Sequence, residues 1–335
     1  MIISYYPEKN EVNSYTLNSR EIWSKFGKLE NSSIRARGIK SIKSVDICVL
    51  NWSENSIIGS NGDLRFIGVA KLFFKLILYK IIAKNLIFVR HNVYPHATAP
   101  KYRKVATKIV NFYEMFFDIV IVHSGHYAEG SRKYIPHPLY ANSYSSDVFQ
   151  KKVSLPEKYF LIFGRIERYK KIESVIEKLN DNTNLVICGS CSDQKYLDLL
   201  RSYNKKNVFI IPEFVSNEYA SYLTKNAVAL LISHSDDDMI LSGSVIFGIS
   251  NEVKVLAVET GCINWFVETL KIDNITAVKD IEKLCFEMNQ LLKNSYIPLN
   301  YSHNKNHFSN DLITEMLKNV LVEKNIVSKN HFLNK

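Results

Sequence analysis

The stretch Phe160-Leu161-Ile162-Phe163-Gly164-Arg165-Ile166-Glu167-Arg168-Tyr169-Lys170-Lys171-Ile172 decides the fold. Four apolar residues closed by a glycine read as a strand buried on both faces, which is the signature of a parallel sheet. A basic turn follows in which Arg165 and Lys170 stand five apart, and Ile172 opens an amphipathic segment reaching Leu179. Strand, glycine, paired cations and helix N-terminus suit a diphosphate, because cations and first-turn N–H groups act on the same anion. A solvated basic turn is the plainer reading of the same residues.

Working outward, short apolar runs alternate with longer amphipathic ones. Further strands are expected at residues 185–188, 208–211, 228–233 and 253–258, with helices at 195–202, 216–224 and 243–249. Upstream the same alternation predicts strands at 1–6, 46–52, 86–90 and 119–123, separated by helices at 14–26, 64–83 and 101–117. A turn-rich stretch from Ile135-Pro136-His137-Pro138 to Ser154-Leu155-Pro156 divides the two series. With 335 residues, the chain is long for one core, so an α/β protein of two Rossmann-like domains, 1–150 and 151–335, is expected. A final helix, 311–327, carries an apolar stripe and must pack on something. In open parallel sheets ligands bind outside the carboxyl ends of strands, so useful residues should follow strands directly.

Ser242-Gly243-Ser244 is the second such place. It opens an apolar helix after a strand, leaving free N–H groups and two hydroxyls for further phosphate oxygens, or simply a helix cap at Ser242. The preceding Asp236-Asp237-Asp238 suits a helix start better than a metal site. Cys188-Gly189-Ser190-Cys191 has redox spacing, but a strand ending at a glycine explains it more simply, and no other Cys-x-x-Cys accompanies it.

Composition narrows the class. Hydrophobic residues make up 46% and charged residues 23%, as in ordinary globular proteins. Five scattered cysteines, an odd number, fit a reducing compartment, and no secretory signal is legible, so a cytoplasmic setting is expected. Of the +10 net charge, +9 falls in residues 1–150, where 20 Lys and Arg face 11 Asp and Glu. A basic half-molecule implies an anionic partner: nucleic acid, an anionic membrane or a phosphorylated substrate. No helix-turn-helix, zinc-finger or RNP signature supports nucleic acid, although 19 tyrosines keep that reading as an alternative. Lysines 71, 75, 80 and 84 interrupt the apolar run 64–89, so it is not a membrane span. Together with Lys101, Arg103, Lys104 and Lys108 they suit peripheral contact with an anionic membrane.

These segments, taken in order, resemble the bacterial GT-B glycosyltransferases that build exopolysaccharides, O-antigens and capsules. Gly164-Arg165-x-x-x-x-Lys170 resembles their phosphate-binding element. Pro212-Glu213-Phe214-Val215-Ser216 resembles the segment that meets the nucleotide base. Ser242-Gly243-Ser244 through Gly261 is similar to the rest of the donor stretch. In the first half, Asn13-Ser14-Tyr15, Asn51-Trp52-Ser53-Glu54 and Arg90-His91-Asn92-Val93-Tyr94-Pro95-His96 resemble the family's loops after the first, second and third expected strands.

The resemblance implies two Rossmann-like domains facing across a cleft, a UDP- or GDP-sugar donor, a lipid-linked saccharide acceptor and placement on the inner face of the cytoplasmic membrane. It implies donor contacts from Asn13, Tyr15, Gly164, Arg165, Lys170, Glu213, Phe214, Ser242, Gly243 and Ser244. A base is expected among His91, His96 and Glu54, with no metal and no cofactor. Two pairs of positions depart from the family. Retaining relatives carry two glutamates eight apart where this chain has Met239 and Phe247, which favours inversion. Glu252 and Lys254 replace a customary glycine and proline. A nucleotide-sugar epimerase of the same architecture, or a non-catalytic relative, fits the same residues.

Overall fold

Among the described residues of the computed structural model, twelve short strands, all paired in parallel, form two six-stranded sheets. The structure describes residues 1–8, 13–30, 42–59, 61–96, 98–140, 155–235, 239–293 and 300–328. The first sheet holds β1 (Ile2–Tyr6), β2 (Lys28–Glu30), β3 (Val45–Asn51), β4 (Ala83–Val89), β5 (Ile119–Val122) and β6 (Arg132–Tyr134). Their order is β2-β1-β3-β4-β5-β6. The second sheet holds β7 (Phe160–Phe163), β8 (Leu185–Cys188), β9 (Val208–Ile211), β10 (Ala229–Ile232), β11 (Val255–Val258) and β12 (Ile275–Val278). Here the order is β12-β11-β10-β7-β8-β9, the doubly wound arrangement with its reversal between β7 and β10. In the first sheet the reversal lies between β1 and β3.

The four-residue strands β7, β8, β10 and β11 are Phe-Leu-Ile-Phe, Leu-Val-Ile-Cys, Ala-Leu-Leu-Ile and Val-Leu-Ala-Val. Helices cover both faces of such a sheet, so nearly every position is buried and the alternation typical of half-exposed strands is missing. Helix starts follow capping chemistry: the side chains of Asn13, Asp193, Ser216, Thr260 and Ser309 each accept a first-turn N–H. Gly248, inside the helix Gly243–Ser250, lets that helix lie close on the sheet; a Cβ there would stand 2.5 Å from Val255 Cγ2.

The chain divides into two units, but not at one point. Residues 1–138 and 308–328, with the short piece 239–241, form the first; residues 139–235 and 242–307 form the second. The expected second domain therefore does not run to residue 335. The helix Asn310–Glu323 sends Ile313, Leu317 and Leu321 into a core with Ile3, Tyr5, Ile22, Trp23, Ile47 and Ile121 of the first unit. The other face of the first sheet is covered by the helices Phe66–Ile82 and Arg103–Glu114, through Leu72, Leu76, Ala106, Val110 and Tyr113.

Three strands were not expected from sequence. β2 and β6 are three-residue edge strands of mixed polarity, and β12 follows polar Asp273 and Asn274. Among the described residues no helix is long and apolar enough to cross a membrane. All five cysteines are free, and burial pushes the Cys188 thiol up to about 12, which removes the redox reading of the Cys188–Cys191 pair.

Candidate active-site residues at the strand ends

In the second unit the chemistry gathers at the reversal point. β7 ends at Phe163, and Gly164 takes φ +98°, a left-handed conformation open to glycine. Gly189, at the end of β8, backs it so closely that a Cβ would lie 2.3 Å from the Gly164 carbonyl oxygen. Lys170 returns toward this turn: its Nζ donates to the Phe163 carbonyl at 3.1 Å, and Ser244 Oγ donates to the same oxygen at 3.2 Å. Ser233, following β10, donates its hydroxyl to the Lys170 carbonyl. The residue after Lys170, Lys171, has φ +52° and bonds Ser235 Oγ at 3.0 Å. Non-glycine residues in that region carry strain, and such strain gathers at functional turns.

Lys170 is only 5% exposed, and among the described residues no carboxylate forms an ion pair with it. Burial lowers its pKa to about 8, partly offset by Glu167 and reinforced by Arg165. A buried ammonium held by one carbonyl that also accepts from Ser244 favours a nearby anion in electrostatic terms. Ser242 does not cap its helix with its side chain, so that hydroxyl is not consumed as the plainer reading supposed. Gly243 is exposed at the helix start, with the Tyr140 hydroxyl beside it.

Arg165 behaves differently from Lys170: it is exposed and paired with Glu167 at 2.6 Å. Glu213 and Phe214 lie between β9 and the helix Asn217–Lys225, both exposed, Phe214 at 68%. Glu252 takes φ +58°, keeping the left-handed turn a glycine would form, and pairs with Lys305. Phe247 is buried, stacked on Phe163 at 4.7 Å with Tyr140 against its edge, so this position is apolar core. Asp236, Asp237 and Asp238 lie outside the described residues.

In the first unit the ends of β1, β3, β4 and β5 bring together residues far apart in sequence. Tyr15 sits at the centre. Its hydroxyl lies 2.9 Å from His123 Nε2 and 3.2 Å from Asn51 Oδ1, and its ring packs against His91, His123 and His137 at centroid distances of 4.9, 5.4 and 4.7 Å. Trp52, at φ +50°, stacks on His91 at 4.2 Å and 16°. His91 Nε2 meets Asn51 Oδ1 at 3.0 Å, and Asn51 Nδ2 donates to the Tyr6 carbonyl at 2.8 Å. His123 Nδ1 and His137 Nδ1 bond the carbonyls of Ile135 and Pro138 at 2.8 and 2.6 Å.

Burial dominates the titration here. It takes His123 down to about 4, despite the Ile135 carbonyl, and holds His91 and His137 well below the usual imidazole value, each further depressed by His123. The cluster is therefore neutral at pH 7, and its histidines are proton acceptors rather than charges.

Of the sequence candidates for the base, His91 is in this cluster and half-buried. His96 is exposed, five residues on, and its charge further lowers the His91 pKa. Glu54 is 0% exposed, among the described residues neither carboxylate oxygen has a hydrogen-bond partner, and burial raises its pKa to about 7. A carboxyl so enclosed does not meet an acceptor in this structure. Asn13 caps the helix Ser14–Ser24 with its side chain, and Tyr15 is 3% exposed among the histidines. Asn51, His123 and His137 were not singled out; His123 and Asn51 directly follow β5 and close β3, the signal that marked His91.

Solved structures share this architecture, among them the following three. HepE from Anabaena, in complex with UDP and glucose, aligns over 96% of this chain and 100% of its own with TM-score 0.68 and 14% identity. The chain has the GT-B fold. WaaG, a GT-B glycosyltransferase involved in lipopolysaccharide biosynthesis, matches with TM-score 0.59 and 13% identity over 96% and 99% of the two chains. TarM from S. aureus, in complex with UDP, matches with TM-score 0.58 and 15% identity over 84% of this chain but only 57% of its own. No protein-family model matches the sequence, and no curated protein sequence does.

Proposed function

We propose that this GT-B protein is a glycosyltransferase that moves a sugar from a nucleoside-diphosphate sugar, UDP- or GDP-linked, to a lipid-linked saccharide in surface polysaccharide synthesis. The observation that carries the reading is Lys170: a buried ammonium with no carboxylate partner among the described residues, beside a left-handed glycine at the reversal of a doubly wound sheet. Its missing counter-charge is the donor's diphosphate, joined by the hydroxyls of Ser244 and Ser242 and by the N–H groups at Gly243. Exposed Arg165 adds charge from the rim, and Phe214 offers a face to the nucleobase.

In the proposed reaction the acceptor hydroxyl gives its proton to the neutral His91 imidazole. The acceptor oxygen bonds the anomeric carbon while the carbon–phosphate oxygen bond breaks, and the electron pair leaves on the diphosphate, stabilised by Lys170. Protein cations meet the leaving charge, so neither metal nor cofactor is required by the scheme. Attack assisted by one base corresponds to inversion, consistent with an apolar Phe247 where retaining relatives have a glutamate.

The membrane face of the proposal rests on the first unit. The helices Phe66–Ile82 and Arg103–Glu114 leave Phe66, Ile67, Phe74, Ile77, Phe112 and Met115 exposed, interleaved with exposed Lys71, Lys75, Lys80, Lys104 and Lys108. Apolar side chains ringed by lysines match an anionic lipid interface.

The first test is ligand-induced thermal stabilisation by UDP, GDP and their sugars in wild type and Lys170→Met. A ligand at 100 times its Kd adds about 2.7 kcal/mol. A shift with one nucleotide, lost in Lys170→Met, is expected; no shift with any nucleotide sinks the proposal.

A further inference from the structure

We propose that Asn51 is a positioning residue that fixes the tautomer of His91, placing the proton on Nε2 and leaving the Nδ1 lone pair as the proton acceptor. That Nδ1 serves catalysis rests on the transfer reaction proposed above; that Asn51 sets the tautomer does not.

The hydrogen bonds fix the protons one after another. The Tyr6 carbonyl can only accept, so the Asn51 amide must point its NH2 there and its Oδ1 at Tyr15 and His91. The Ile135 carbonyl likewise demands a proton on His123 Nδ1. His123 is neutral, so its Nε2 is a bare acceptor, and the single phenolic proton of Tyr15 goes to it. Tyr15 then has no proton for Asn51. The Asn51 oxygen faces His91 Nε2 at 3.0 Å, a distance that two lone pairs avoid and an N–H···O bond prefers. His91 therefore carries its proton on Nε2.

The rest of the ring is held. Trp52 stacks on one face and the edge of Tyr15 closes against it, while among the described residues Nδ1 has no hydrogen-bond partner. Asn51 itself is fully buried and anchored at both ends of its amide, so it is too enclosed to act on substrate directly. A neutral amide can dictate the tautomer without the charge of an aspartate, which would raise the basicity of His91 and attract a proton at neutral pH.

The test is ¹⁵N NMR of the histidine-labelled full chain, with His91 assigned by its disappearance in His91→Gln. The wild-type ring is expected as the Nε2–H tautomer. Asn51→Leu should give mixed tautomers, with kcat at least about tenfold lower and KM little changed, within the loss a wrong tautomer causes. Asn51→Asp keeps an acceptor at Nε2 but adds charge, so it should give a His91 protonated on both nitrogens at neutral pH; a His91 left neutral there would overturn the proposal even if Asn51→Leu folds poorly. Tyr15→Phe should leave the His91 tautomer unchanged. A wild-type His91 protonated on Nδ1, or a tautomer indifferent to Asn51→Leu, overturns the proposal. Correct tautomers combined with full transfer activity in His91→Gln would instead refute His91 as the base and leave the role of Asn51 standing.

Discussion

The two units place their chemistry at equivalent points of similar sheets yet build it from opposite materials. In the second unit the backbone does most of the shaping: two positive-φ glycines, a helix start and one carbonyl that gathers Lys170 and Ser244. The side chains there are small or charged, as an anion requires. In the first unit the backbone supplies mainly acceptors, and the shape comes from interlocked rings, Tyr15, Trp52, His91, His123 and His137, all uncharged at neutral pH. On the proposed mechanism one region neutralises charge and the other moves a proton. Burial serves both, lowering the lysine in one and the imidazoles in the other.

If that division holds, substitutions in the two regions must fail differently. The largest effect is expected for His91→Gln: steady-state kinetics should show kcat lower by about 10²–10⁴, the usual range for a general base, with nucleotide affinity intact. Equal losses of kcat and nucleotide binding would erase the contrast.

Glu54 comes next, at about 3 kcal/mol. Its folded pKa of about 7 lies above the ordinary carboxyl value of 4.5, so the folded state prefers the protonated form. Its favourable state is complete below about pH 4.5 and is lost as pH rises through 7. Glu54→Gln should therefore match wild type in denaturant melts near pH 4 and gain stability above pH 7. An unchanged difference across that range would mean the carboxyl is not buried as described.

Lys170 sharpens the comparison from the other side. Its folded pKa of about 8 is below 10.5, so the free protein loses this charge as pH rises past 8. Nucleotide affinity by calorimetry should fall by up to tenfold per pH unit above that point, and Lys170→Arg should flatten the decline. The smallest effect concerns the exposed helix face. Phe74→Ser with Ile77→Ser should reduce flotation with anionic liposomes severalfold while leaving the melting temperature within a few degrees. Retained flotation would remove the membrane from the proposal.

Much of this architecture was legible because strands buried on both faces are written as uninterrupted apolar runs. Phe160–Phe163 and Leu185–Cys188 could hardly be anything else. Edge strands such as Arg132–Tyr134 carry no such mark, since one side is open and three residues make no pattern. The turn proposed to hold the diphosphate was visible as glycine, arginine and lysine, but their division of labour was not: whether a cation is sunk against a carbonyl or paired at the surface depends on the neighbouring β10 and the helix Gly243–Ser250. The histidine cluster was legible only in His91. His123 and His137 reach it through the side-by-side order of β4, β5 and β6, and sheet order is a property of the folded chain.

The helix Asn310–Glu323 gives the chain an unusual schedule. As the protein leaves the ribosome, the first sheet emerges early, but one of its faces stays without Ile313, Leu317 and Leu321 until the whole second unit has been made. The unit begun first is thus completed last, and for most of synthesis it presents an open apolar sheet face.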